Sequence, residues 1–141
     1  MFKNVLIAID LGEPGSWARS LPVALQICKD WSSRLHVVTV AAEVNVQVAS
    51  FFPGNANSKL REQTAAELAN WIREHVPAGI EAHAIVGQGS IHREILDAAG
   101  KANADLIVMA SHKPAVSDYL LGANAAHVVR HAACSVMVVR N

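Results

Sequence analysis

The stretch LIVMASHKPAVSDYLLGANAAHVVRHAACSVMVV, residues 106–139, changes its pattern three times. Leu106 to Ala110 is a short apolar run of strand length, followed by a polar loop holding Ser111-His112-Lys113-Pro114. From about Gly122 to about His131 the apolar residues fall at helical spacing, and Val136 to Val139 is again a strand-length run. A strand, a helix and a second strand joined this way form a crossover, and a crossover returns the second strand parallel to the first.

Outward from that unit the same alternation covers the chain. Strand-length runs recur at Val5 to Ile9, Leu35 to Val40 and Ile80 to Val86. Most are nearly continuous in Val, Ile, Leu and Met, as expected of parallel strands covered on both faces. The third is mixed, with Glu81 and His83 between apolar residues, which predicts a place nearer a sheet edge. Helical spacing joins them over 15–31 (Trp17, Leu21, Ala24, Leu25, Cys28), 58–75 (Leu60, Thr64, Leu68, Trp71, Ile72) and 90–102 (Ile91, Ile95, Leu96, Ala99). The order β-α-β-α-β-α-β-α-β predicts a three-layer, Rossmann-like α/β fold over residues 1–141: a five-stranded parallel sheet with helices on both faces. One longer irregular stretch, Glu43 to Asn57, is read as a lid or mobile segment.

Composition narrows the function. Of 141 residues 52% are apolar, enough for one compact core. Lys plus Arg and Asp plus Glu both total 12, and no basic cluster stands out, so nucleic acid is not an expected partner. No apolar stretch approaches the length of a membrane span and no signal peptide opens the chain, so it reads as cytoplasmic with no membrane partner. Cys28 and Cys134 form no CxxC pair and are expected to be reduced thiols with packing roles. The chain has no GxGxxG after its first strand, no Walker A loop and no GxSxG elbow, which disfavours a dinucleotide enzyme, a motor or a serine hydrolase.

Ligands of open parallel sheets bind beyond the carboxyl ends of the strands. There the first strand ends in Ala8-Ile9-Asp10, the second at Val40 and the fourth at Met109-Ala110, and the last helix opens at Gly122-Ala123-Asn124. Asp10 suits the ribose hydroxyls, or else is a solvated turn residue or a helix cap. Val40 and Met109 offer apolar walls to a flat base. Ala110 admits a ligand close to the backbone, or packs tightly beneath the loop. Lys113 is a mobile charge for phosphate or an exposed loop lysine, and His112 lies beside it. Gly122 and the amides of Ala123 and Asn124 form a helix N-terminus suited to an anion. Asn124 is read first as a cap. These positions together describe a mononucleotide cleft.

At these residues the sequence resembles the universal stress protein family over its whole length. The likeness is carried by VLIAID, LHVVTVAAE, GSIHREILDAAGKANADLIVMASH and LLGANAAHVVRHAACSVMVV. It implies an adenine-nucleotide-hydrolase-like fold, a cytoplasmic homodimer and binding of ATP, or of AMP or ADP. The family's ATP pattern is a glycine, two residues, a glycine, nine residues, then glycine and Ser or Thr. Here Ala110 and Lys113 stand at the first two glycines, eight residues separate Lys113 from Gly122, and Ala123 replaces the Ser or Thr. The loop is similar to a branch carrying Ser-His-Arg-Pro instead of the glycines, associated with ATP binding. Magnesium, if carried, is expected on the phosphates, since no carboxylate cluster is visible.

The resemblance also implies that Ser135 to Arg140 is an edge strand pairing antiparallel across a two-fold axis, with a role in stress response through a further protein partner. His127 and His131 have the i, i+4 spacing of a metal pair but no third ligand in sequence, so no metal is expected; at a helix end they complement the dipole. No catalytic residue is assigned. The alternatives are a dimeric structural or interaction module that has lost the nucleotide and, third, a slow ATPase or autophosphorylating enzyme.

Overall fold

The structure, a computed structural model, describes residues 1–42, 56–111 and 121–140. Five strands form one parallel sheet: β1 (Asn4–Ala8), β2 (Arg34–Ala41), β3 (Ala82–Gln88), β4 (Leu106–Ser111) and β5 (Ser135–Arg140), in the order β3-β2-β1-β4-β5. All four pairings are parallel, with Leu6 facing His36 on one side and Ile107 on the other. The order reverses direction at β1, between β2 and β4, and that reversal opens the crevice where a ligand can enter.

Among the described residues four α-helices cover the sheet: α1 (Ser20–Trp31), α2 (Ala56–His75), α3 (Ile91–Lys101) and α4 (Ala123–His131). Side chains alternate across the strands and divide the core in two. Val5, Ile7, Leu35, Val37 and Val108 pack with Leu21, Ala24 and Cys28 of α1 and Leu68 and Trp71 of α2. Leu6, Val38, Ile107 and Met109 pack with Ile95 and Ala98 of α3 and Ala125 and Val128 of α4. Each fully buried aliphatic chain contributes about 1.5–3 kcal/mol relative to exposure, which is why the central strands tolerate almost no polar residue.

Element ends depart from the sequence expectation where local chemistry overrides periodicity. The helix expected over 15–31 begins only at Ser20. Pro22 has no N–H to give the carbonyl of Ala18, so the α-helix cannot grow back past its first turn. Residues Pro14–Ser16 form a separate 3-10 turn instead. Ile80 stays in the core but precedes β3, because the turn from Pro77 (Ile80 N–H to Pro77 C=O, 3.1 Å) delays the strand to Ala82. The predicted edge position of β3 holds, and β5 forms the other edge. Of the irregular stretch Glu43 to Asn57, residues 43–55 lie outside the described residues.

Candidate functional site

At the carboxyl end of β1 the backbone leaves the sheet. Ile9 still donates to Val38 C=O (2.9 Å), but Asp10 has no strand to bond with. Its N–H donates instead to Ser16 Oγ (2.8 Å), and the Ser16 hydroxyl donates back to Asp10 C=O (3.1 Å). Ser16 is buried, and Ser20, one turn further on, donates to Ser16 C=O (3.2 Å). The Asp10 side chain is exposed and folds over its own turn, with Oδ1 accepting from Gly12 N–H (3.0 Å). Asp10 is therefore a turn residue and no helix cap, since the residue before α1 is Arg19. Among the described residues Oδ2 takes no hydrogen bond.

Beyond the strand ends lies a cavity of about 100 Å³. Of the positions read from the sequence it gathers Ala8, Ile9, Asp10, Val40, Met109, Ala110 and Asn124. Ser16, Val38, Ile91 and Ile95 complete it and were not read as site residues. Val38 and Met109 flank Ala8 on the sheet face that α3 covers and share a core with Ile95, and Val40 lines the cavity two residues further along β2. Ile91, half exposed (48%), is the most exposed apolar residue of the lining. Ala110 sits within β4 and is not among the residues with positive φ, so alanine carries no backbone strain there. A ligand pocket for a whole small molecule spans roughly 300–1,000 Å³, so the described walls account for part of one.

The start of α4 supplies the polar end. Gly122 precedes the helix with φ −56° and ψ 153°, and its carbonyl accepts the first helical bond from Ala126 (2.9 Å). Asn124 lies inside the first turn and is not the cap expected of it; among the described residues no side chain caps this terminus, and no acidic residue lies in its first turn. Gly122 is not needed for its backbone conformation, which any residue adopts. A Cβ there would meet nothing within 4 Å, so the glycine leaves open space in front of the helix amides. Gly122 and Ala123 do not line the cavity beside Asn124; they stand at this adjoining end. His112 and Lys113 lie outside the described residues.

Histidines gather beside the cleft in a way the sequence did not reveal. The ring of His92 of α3 meets that of His127 of α4 at a tilt (centroids 3.8 Å, planes 38° apart), and His127 in turn meets His131 (4.4 Å). Among the described residues no three ligating side chains converge as a metal site. Desolvation first, then the neighbouring His92, His131, Arg130 and Arg93, hold His127 below the ordinary histidine value. Both cysteines are free thiols: burial pushes Cys28 up to about 11, and burial with the nearby Asp105 raises Cys134, so neither is a ready nucleophile. No described helix is long and apolar enough to cross a membrane.

Comparison with known proteins follows the same lines. The family model described as Universal stress protein family matches residues 1–140. Universal stress protein G of Escherichia coli O157:H7 is 27% identical over 144 residues, taking in 99% of this chain and 100% of the relative. A universal stress protein family protein from Arabidopsis thaliana, solved with AMP bound, matches with a TM-score of 0.62 at 17% identity, over 99% of this chain and 92% of that one. A universal stress protein solved in complex with cAMP matches at 0.64 and 19%, over 98% and 97%. At such identities the likeness establishes the fold, and it is the parallel three-layer fold that the alternation of runs implies.

Proposed function

We propose that this chain, which belongs to the universal stress protein family, binds ATP or a related adenine nucleotide beyond the carboxyl ends of β1, β2 and β4. Val40 and Met109 flank the base, with Ile91 at the mouth. The free Oδ2 of Asp10 accepts a ribose hydroxyl. The amides of Gly122, Ala123 and Asn124 receive a phosphate, favoured by the helix dipole and by the open space before Gly122. Magnesium would arrive on the phosphates, since no carboxylate cluster is at hand among the described residues.

The observation that carries this reading is the meeting of apolar walls, an accepting carboxylate and an uncapped helix start in one cleft. The AMP and cAMP held by solved members of the same fold support the adenine class. The loop Ser111-His112-Lys113-Pro114 supports placement in the branch that replaces the family's glycines. We further propose a homodimer through the edge strand β5, whose residues alternate between exposed and half-buried, and a cytoplasmic stress-response role exercised through a protein partner.

Thermal unfolding with ATP tests the core of the proposal. At ligand near 100 times Kd, binding adds about 2.7 kcal/mol of stability. The alternative is a dimeric interaction module without nucleotide. An unfolding temperature unmoved by millimolar ATP would establish that alternative instead.

A further inference from the structure

We infer that Ser16 is a positioning residue for Asp10, and that it sets how strongly the cleft separates a ribonucleotide from an analogue lacking ribose hydroxyls; the inference rests on the nucleotide reading above. Asp10 lies one residue past the last strand bond, on an exposed turn, where a carboxylate would ordinarily sample several directions. Here both backbone polar groups of Asp10 are held by one buried hydroxyl, at 2.8 and 3.1 Å. The Asp10 carbonyl also accepts from Glu13 N–H (3.0 Å), and the Gly12 N–H engages Oδ1. One carboxylate oxygen is thus tied down and the other left to accept.

Ser16 is itself immobilised. Its N–H donates to Glu13 C=O (2.9 Å), its carbonyl accepts from Ser20, and only 5% of its surface is exposed. The clamp spans six residues across the 3-10 turn, and Ser16 shares the cavity wall with Asp10. Removing the Ser16 hydroxyl would orphan the Asp10 N–H at the end of β1 and free the turn to rotate, while leaving Val40, Met109 and the α4 amides in place. The base and phosphate subsites would keep their contacts, and the ribose subsite would lose its aim.

Isothermal titration of the wild type, Ser16→Ala and Ser33→Ala with ATP and with 2′,3′-dideoxyATP reads this directly. The wild type should prefer ATP by about tenfold, the worth of a hydrogen bond to a charged group. Ser16→Ala should bring that preference close to one by losing ATP affinity, with dideoxyATP affinity unchanged. Ser33→Ala removes a buried hydroxyl that donates to Phe2 C=O near the opposite end of the sheet, and should keep the preference. Ser16→Cys fills the same space with a poor hydrogen-bonding group and carries the same expectation if Ser16→Ala fails to fold. A Ser16 variant that weakens both nucleotides equally, or keeps the preference, overturns the role of Ser16 alone. A wild type that binds both nucleotides alike overturns the ribose role of Asp10 and this inference, and one that binds neither overturns the nucleotide reading with it.

Discussion

The amino ends of the strands leave a cavity of about 640 Å³, whereas the described walls at the carboxyl ends enclose about 100 Å³. The larger space is the poorer site. It lies at the C-terminal end of α1, where helix carbonyls present partial negative charge. Lys3, Lys29 and Arg34 line it and offset that charge, and its carboxylate, Glu81, is already engaged by Arg34 (2.9 Å) and His83 (2.8 Å). Its one lining carboxylate is thus already answered. At the carboxyl ends, among the described residues, no side chain caps the helix starts of α3 and α4, and one oxygen of Asp10 takes no hydrogen bond. Unanswered hydrogen-bonding capacity marks the site, and volume does not.

Three perturbations break or sharpen the contrast. The largest concerns the two ends of α3. A Cβ on Gly87, at the carboxyl end of β3, would lie 2.7 Å from Glu94 Cβ, so Gly87→Ala must push α3 off the sheet. We expect a loss of about 1–3 kcal/mol in urea unfolding, together with weaker ATP binding because Ile91 and Ile95 move. Gly100, near the other end of α3, has nothing within 4 Å of its Cβ position, and Gly100→Ala should instead stabilise by about 0.5–1 kcal/mol. Equal effects at the two ends would contradict the packing described.

Gly122→Ala separates binding from folding. With φ −56° and open space, stability should stay within about 0.5 kcal/mol. The added methyl occupies the space before the helix amides, so ATP affinity should fall by about tenfold in calorimetry. Unchanged affinity would remove Gly122 from the phosphate subsite.

The smallest effect is acid sensitivity, which both ends share. Burial first, then His83 and Arg34, hold His36 at the amino end below its usual 6.5, with Glu81 opposing; His127 is lowered beside the cleft by the causes given above. A histidine depressed in the folded chain takes its proton first in the unfolded chain. Stability is therefore complete above the ordinary value of 6.5, falls as pH drops through it, and levels off below the folded values. Urea midpoints between pH 7.5 and 5 should flatten more in His36→Gln than in His127→Gln, because His127 is exposed. The reverse order would show that the contact between α3 and α4 carries more of the stability than its exposure suggests.

The sequence made most of the frame legible, because continuous apolar runs and helical spacing report burial on two faces. Asp10, Val40 and Met109 were legible as strand ends, since the topology sends such residues to one crevice. Ser16 was not: its bond to Asp10 crosses a 3-10 turn whose existence depends on Pro14 and Pro22, and neither proline changes the apolar spacing. Ile91 and Ile95 read as core positions of a helix, and their place on the cavity wall follows from where α3 docks. The partner of His127 on α3 was equally hidden, because contacts between helices are not written in the spacing of either one.

The position of β1 at the centre of the sheet has a consequence for how the chain is made. Its backbone at Lys3 and Asn4 donates to the carboxylate of Asp105 (2.8 and 3.1 Å), more than a hundred residues away, and its free side pairs only with Leu106 to Val108. A ribosome that has released the chain through residue 100 has delivered β1, β2 and β3 but left β1, apolar at four of its five positions, with an open edge. Vectorial folding cannot finish from the N-terminus; the nascent chain stays exposed to aggregation until β4 emerges to close it.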